Sequence, residues 1–182
     1  MIERVDAAEA ADVLAAAFLD DPVLTYLVRP RDVRLVLGAL CLEGIAEGVR
    51  VDGRLAAASV WLPPGAHPSS LRQLPAWARL AARNPRAVPR LLRAGRTLDA
   101  LHPDEPHWFL SLLGVLPELQ GTGLGSALVR PGLERAAGHA VHLDTGRPEN
   151  VPWYRRFGFE VTAEVHAVPG APPSWGMWRR PP

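Results

Sequence analysis

The stretch that most constrains this chain runs from Gly114 to Ser126 and reads Gly-Val-Leu-Pro-Glu-Leu-Gln-Gly-Thr-Gly-Leu-Gly-Ser. An apolar run, Trp108 to Val115, leads into it, and a helical pattern, Leu124 to Ala137, leads away. Between them stand Gly121, Gly123 and Gly125. The order predicts a strand, a tight loop and a helix N-terminus. Glycine lacks a Cβ, so the backbone can turn with φ > 0 and a ligand can approach its N–H groups. The first N–H groups of a helix have no intrahelical partner, and the macrodipole favours an anion there by about 0.3–1 kcal/mol. Together these features make a phosphate cradle. A plain strand-to-helix turn is the alternative that glycine content alone leaves open.

Two familiar phosphate loops do not fit. A dinucleotide fingerprint needs G-x-G-x-x-G after an early strand, and these glycines are late and differently spaced. A P-loop needs a lysine, and all 20 Lys or Arg residues here are arginine. The pattern [Arg or Gln]-x-x-Gly-x-[Gly or Ala] is met by Gln120-Gly121-Thr122-Gly123-Leu124-Gly125. This resembles the pyrophosphate loop of the GNAT acetyltransferases. A second stretch, Asn150-Val151-Pro152-Trp153-Tyr154-Arg155-Arg156-Phe157-Gly158-Phe159, looks like that family's N-x-x-x-Y-x-x-x-G-F signature. From His107 to Arg180 the chain is closest in type to the puromycin-acetylating branch of the family. Residues 31–106 share almost nothing with that branch.

The resemblance implies an α+β chain with the GNAT acyl-CoA N-acyltransferase fold. That fold is an α/β three-layer sandwich, a mixed central sheet flanked by helices. It would span residues 1–182 as a single domain, with residues 66–106 a helical insert lining the acceptor site. Composition is compatible with this. The chain has 182 residues, 48% hydrophobic and 21% charged, enough for one good core. A net charge of +1 points to neither nucleic acid nor an anionic membrane. The single cysteine, Cys41, excludes an intrachain disulfide and reads as a core residue. The N-terminus has no signal-peptide h-region and no apolar run reaches membrane-spanning length, so a cytoplasmic protein is expected.

Along the chain, Ile2 to Val5 reads as a strand and Asp6 as the cap of a helix from Ala7 to Leu19. Asp20-Asp21-Pro22 breaks it, Val23 to Val28 is a second helical piece, and Asp32 is expected to cap a third that reaches Ile45 and stops at Gly48. Val49 to Val51 and Arg54 to Leu62 form a hairpin around Asp52-Gly53. Ser69 to Ala82 and Pro85 to Leu101 read as helices interrupted by Pro75 and Pro89. After the glycine loop, Val141 to Thr145 is a strand, Asn150 to Phe157 a helix, and Phe159 to Val168 and Trp175 to Arg179 are strands.

The resemblance names acetyl-CoA as donor but does not carry over the acceptor; a helical insert at residues 66–106 that caps the site would suit a primary amine of a small molecule, joined by direct attack in a ternary complex. Leu113, Gly114 and Val115 would follow the pantetheine arm, and Gln120, Gly121, Thr122, Gly123, Leu124, Gly125 and Ser126 the pyrophosphate. Asn150 would cap the helix that carries Tyr154 and contact the cofactor. Amide formation needs a base for the ammonium, whose pKa is about 10, and an acid for the departing thiolate. Tyr154 matches the family's acid. Asp144, at the end of its strand, stands where puromycin-acetylating relatives have Glu. It is either the base or a positioning group. Phe18, Asp21 and Tyr26, with Asp20, lie where the family places acceptor contacts, and adjacent carboxylates suit a cationic amine. Puromycin-acetylating relatives carry Tyr where Asp21 stands. Trp61 and Trp108 are either an aromatic wall for the acceptor or core. His67, His102 and His107 show no metal-ligand spacing, His139 and His142 carry no signal, and no metal is assigned. Acetylation of protein lysines or N-termini, or non-catalytic acyl-CoA binding, are the alternatives. A homodimer through strand edges is compatible with the family.

Overall fold

The protein is described from a computed structural model that covers residues 1–66 and 71–181. His67, Ser69 and Ser70, the last two at the start of an expected helix, lie outside the described residues. The elements run β1 (Ile2–Arg4), α1 (Ala7–Ala17), α2 (Pro22–Leu27), α3 (Pro30–Cys41), β2 (Ile45–Val51), β3 (Arg54–Leu62), α4 (Leu74–Arg83) and α5 (Ala87–Asp99). There follow β4 (His107–Val115), α6 (Leu124–Arg135), β5 (Ala140–Thr145), α7 (Asn150–Arg155), β6 (Glu160–His166) and β7 (Pro173–Arg179). The strands form one mixed seven-stranded sheet in the order β1-β2-β3-β4-β5-β7-β6. Among the described residues, only β4 and β5 pair in parallel.

Local chemistry sets most of these boundaries. Asp6 accepts the N–H groups of Ala8 and Glu9, each at 2.8 Å, and so starts α1. Asp21 does the same for α2 through Val23 and Leu24. Asp52 and Gly53 both have positive φ, the turn that matches the twist of a two-residue hairpin. Pro75 and Pro89 fall in the first turns of α4 and α5, where the missing N–H would have had no partner. They do not interrupt those helices.

Two expectations are corrected here. The third helix stops at Cys41, and Ile45–Val51 is a strand. Gly44 and Gly48 belong to its packing, because a Cβ at Gly44 would lie 2.7 Å from the Trp61 carbonyl oxygen and one at Gly48 2.4 Å from Leu55. Close approach of β2 to β3 therefore overrides the helical spacing of the apolar residues. Asp32 is not a cap either. It sits inside the first turn of α3, fully buried, and accepts from the Asn84 side-chain amide at 3.3 Å.

The core lies on both faces of the sheet. One cluster joins Leu14, Leu37, Val60, Leu62 and Leu112 beneath α1 and α3. The other joins Trp61, Trp108, Val129, Val141, Phe159 and Met177 beneath α6. Helix α6 comes close enough that a Cβ at Gly132 would lie 2.2 Å from Trp61 Cζ2. In β4 the register slips, with Val60 opposite Leu112 and Trp61 opposite Leu110. Ser111 is left as a bulge, and the alternation of faces reverses there. Trp108 and Leu110 join the α6 cluster, whereas Leu112 joins the α1 cluster.

Candidate active site

The site arises where two parallel strands part. Strands β4 and β5 are paired from His107–Ala140 to Leu110–Leu143 and no further. Beyond that point β4 runs on to Val115 and β5 to Thr145. The facing edge of β4 keeps N–H and C=O groups without a strand partner, groups that a ligand can engage. The bulge at Ser111 lies at the fork. A cleft of about 640 Å³ fills the gap.

The glycine loop closes one end of this cleft. Gly121 and Gly123 have φ of 78° and 92°, a region that a side chain rarely tolerates. Gly123 is the N-cap of the 12-residue α6. A Cβ at either glycine would meet nothing within 4 Å, so the loop is open toward the cleft. The first N–H groups of α6 lack intrahelical acceptors there. Thr122 Oγ1 donates to the Leu119 carbonyl at 2.6 Å, and the Gln120 amide donates to the Val115 carbonyl at 3.3 Å, bracing the loop against the end of β4. Gly125 lets α6 sit beside Trp153, 3.4 Å from where a Cβ would be. The backbone cradle fits a diphosphate, and the splayed edge of β4 fits an extended amide-bearing arm.

Helix α7 supplies Tyr154. Its ring is buried between Trp153 and Phe159, with centroids 4.8 and 5.9 Å away, and the residue lines the cleft. Burial pushes the phenol's pKa well above its ordinary value, so the hydroxyl keeps its proton at neutral pH. Asn150 does not cap this helix. The cap position is Glu149, whose side chain makes no cap bond, and Asn150 donates from Nδ2 to Thr145 Oγ1 at 3.2 Å. That bond ties α7 to the end of β5, beside Asp144.

Asp144 faces the cleft with a side chain 15% exposed. Phe18 and Asp21 line the same cleft. Asp21 is buried, and desolvation raises its carboxyl above the usual range against the pull of its cap bonds and Arg147. Arg147 pairs with Asp20, approaches Glu149 at 3.3 Å and comes within 4.0 Å of Asp21. Leu113, Gly114, Val115, Gln120, Gly121, Gly123, Leu124, Gly125, Ser126 and Asn150 also line the cleft. Gly114 has a packing role as well, since a Cβ there would lie 2.8 Å from Ala17.

Two expected acceptor contacts lie elsewhere. Trp108 is buried in the α6 cluster with the Arg135 guanidinium over its ring at 5.5 Å, because the bulge at Ser111 turns it to that face. Tyr26 points away from the cleft and donates to the Pro169 carbonyl at 3.2 Å. Sequence reasoning missed Arg147 and Thr145, which line the cleft just after Asp144. It also missed a cluster behind Asp144, where donor atoms of His102, His142 and Asp144 lie within 4.8 Å of one another. Linear spacing hid this cluster because its members come from different segments. Among the described residues, no helix is long and apolar enough to cross a membrane.

Residues 77–159 match the model of the Acetyltransferase (GNAT) family. The fold is similar to that of histone acetyltransferase HPA2 and related acetyltransferase from Corynebacterium glutamicum, with 21% identity, TM-score 0.74, and 100% and 96% of the two chains covered. It is similar to Drosophila melanogaster polyamine N-acetyltransferase, with 17% identity, TM-score 0.67 and 99% of each chain covered. It is also similar to a GNAT family acetyltransferase from Brucella melitensis in complex with acetyl-CoA. There the identity is 21%, the TM-score 0.51, and the coverage 88% and 82%.

Proposed function

We infer that this chain, which carries a GNAT acetyltransferase family domain, moves the acetyl group of acetyl-CoA to a primary amine of a small molecule. The observation that carries the reading is the single cleft in which the glycine loop, the splayed edge of β4, Tyr154 and Asp144 converge. The family uses acetyl-CoA, and the Brucella melitensis relative was crystallised with it. The loop N–H groups of Gly121 to Ser126 hold the pyrophosphate, and the free edge of Leu113 to Val115 aligns the pantetheine arm.

Asp144 takes the ammonium proton, which makes the amine nucleophilic. Attack on the thioester carbon forms the C–N bond and breaks the C–S bond. Tyr154, kept protonated by burial, donates to the departing sulfur. Asp21, with Phe18 beside it, draws the cationic acceptor to the cleft. Two structural neighbours are a polyamine and an agmatine N-acetyltransferase, which is compatible with a small cationic acceptor, while the histone acetyltransferase neighbour keeps the protein alternative open to the test below. The expected role of residues 66–106 in lining the acceptor site is not met, since the described residues of that stretch do not line the cleft. The chain is read as one domain acting in the cytoplasm.

The test is thiol release from acetyl-CoA by the purified protein with puromycin, polyamines, agmatine, amino acids and basic peptides. Turnover confined to small amines supports the reading. Turnover confined to peptides favours the protein-acetylating alternative. Acetyl-CoA binding without turnover on any amine favours a non-catalytic acyl-CoA-binding protein.

A further inference from the structure

Three histidines meet behind Asp144: His102 in the connector after α5, His107 at the start of β4, and His142 in β5. His142 is fully buried, and neither of its ring nitrogens makes a regular hydrogen bond. An unsatisfied buried polar group is destabilising, so an apolar ring would serve packing better there. Its Nε2 lies 3.2 Å from Asp144 Oδ1, which also lacks a regular hydrogen bond. On its other side the His102 ring lies 4.2 Å away between centroids. His102 Nδ1 is 3.0 Å from His107 Nε2, and His107 Nδ1 is 2.7 Å from the Glu105 carbonyl oxygen.

These contacts fix the tautomers. A carbonyl only accepts, so His107 carries its proton on Nδ1 and accepts at Nε2 from His102 Nδ1–H. His102 Nε2 is then left with a free lone pair. The series Asp144, His142, His102, His107 runs from the cleft wall, through the interior, to a half-buried ring beside the exposed Glu105.

The chemistry gives such a series a task. An ammonium and a thioester yield an amide, a thiol and one proton. The ammonium gives up two protons, of which the thiol sulfur takes one through Tyr154. The other must leave, and donor and acceptor filling the cleft cover Asp144 from water. We propose that His142, His102 and His107 pass this proton from Asp144 to solvent at the Glu105–His107 corner. This rests on Asp144 accepting the amine's proton. Imidazole suits the task because it gains a proton at one nitrogen and loses one from the other. The His142 and His102 rings lie 4.2 Å apart between centroids and share no hydrogen bond, so the transfer between them requires one ring to reorient.

The surroundings agree. Burial first, then the charges of His142 and His107, lower His102 to about 3, so the ring stays neutral at neutral pH and can take a proton at Nε2 only as it gives up the one on Nδ1. Asp144 is the carboxylate grouped with His102 and His142. From β4 come Phe109 and His107, and from β7 the Trp178 ring, whose neighbour Arg179 donates instead to the Phe157 carbonyl at 2.9 Å. These three histidines are positioning residues that act through Asp144.

The test uses His142→Phe inside the relay and His107→Gln at its outer end, each checked for an unchanged melting temperature. With the best amine of the panel, kcat should fall about tenfold or more while KM for both substrates holds. Raising the concentration of imidazole buffer should restore the rate, which it would not do for a structural defect. Unchanged kcat in His142→Phe alongside a slow Asp144→Asn would overturn the relay alone. A loss that buffer does not relieve, in variants that melt normally, would also overturn it. So would stoichiometric Zn²⁺ binding that disappears in His142→Phe, which would mark a metal site. Full activity in Asp144→Asn, or no turnover with any amine, would overturn the proposed chemistry and the relay with it.

Discussion

The two walls of the cleft are built in different ways. The wall read here as donor-binding is made of backbone. It comes mainly from one continuous stretch, Ser111 to Ser126, in which a strand loses its partner and a glycine turn opens a helix N-terminus. The wall read as acceptor-binding is made of side chains, and Phe18, Asp21, Asp144 and Arg147 are gathered from the α1–α2 turn and the end of β5. A backbone site needs particular residues only where φ is unusual or a Cβ would intrude. A side-chain site can be assembled from any segments that the sheet brings together. The first leaves a compact trace in sequence, and the second does not.

Substitutions that separate the walls can break this contrast. The largest effect is expected for Tyr154→Phe, which removes the acid and leaves the packing between Trp153 and Phe159. Turnover should drop on the order of 100-fold with KM for acetyl-CoA held, as read by steady-state kinetics. A rise in KM at constant kcat would make Tyr154 a packing residue. Next is Gly123→Val, which forces a branched side chain into a left-handed position at a cost of about 1–2 kcal/mol. Acetyl-CoA should bind about tenfold more weakly by calorimetry, whereas the relative rates among amines should not change. Altered amine preference there would show that the walls are not independent.

A smaller and opposite signature is expected for Asp21→Asn. Asparagine keeps the cap bonds to Val23 and Leu24 and removes the buried charge, so the melting temperature near neutral pH should match or exceed the parent's. KM for a cationic amine should rise about fivefold, the scale of one partly screened charge contact, with acetyl-CoA affinity unchanged. The pH dependence has a definite sign. Burial raises this carboxyl in the folded state, so the native protein holds the proton more tightly than the unfolded chain. The penalty of burying the charge is present above the folded pKa and is relieved as pH falls through it, and Asp21→Asn should remove that part of the stability profile. The smallest effect is expected for Arg54→Ala. Its pair with Glu118, at 3.5 Å, is exposed, so both melting temperature and kinetics should match the parent.

The same division explains what could be read from the sequence. The strand, loop and helix from Trp108 onward were legible because glycine spacing, an apolar run and a helical pattern agree over a short span. The Asp52-Gly53 hairpin was legible for the same reason. The strand at Ile45–Val51 was not, because Gly44 and Gly48 answer to contacts with Trp61 and Leu55 across the sheet. Trp108 was misplaced because a bulge at Ser111 reverses which residues face which layer, and no local pattern marks it. The histidine cluster stayed hidden because His102 and His142 meet only once β4 and β5 pair.

The most direct measurement is amide hydrogen–deuterium exchange with and without acetyl-CoA. If the fork and the glycine loop receive the donor, protection should appear in residues 113–115 and 120–126, with the α1–α2 turn around Asp21 little changed. Protection confined to other elements, or none despite saturating acetyl-CoA, would contradict the assignment of this cleft.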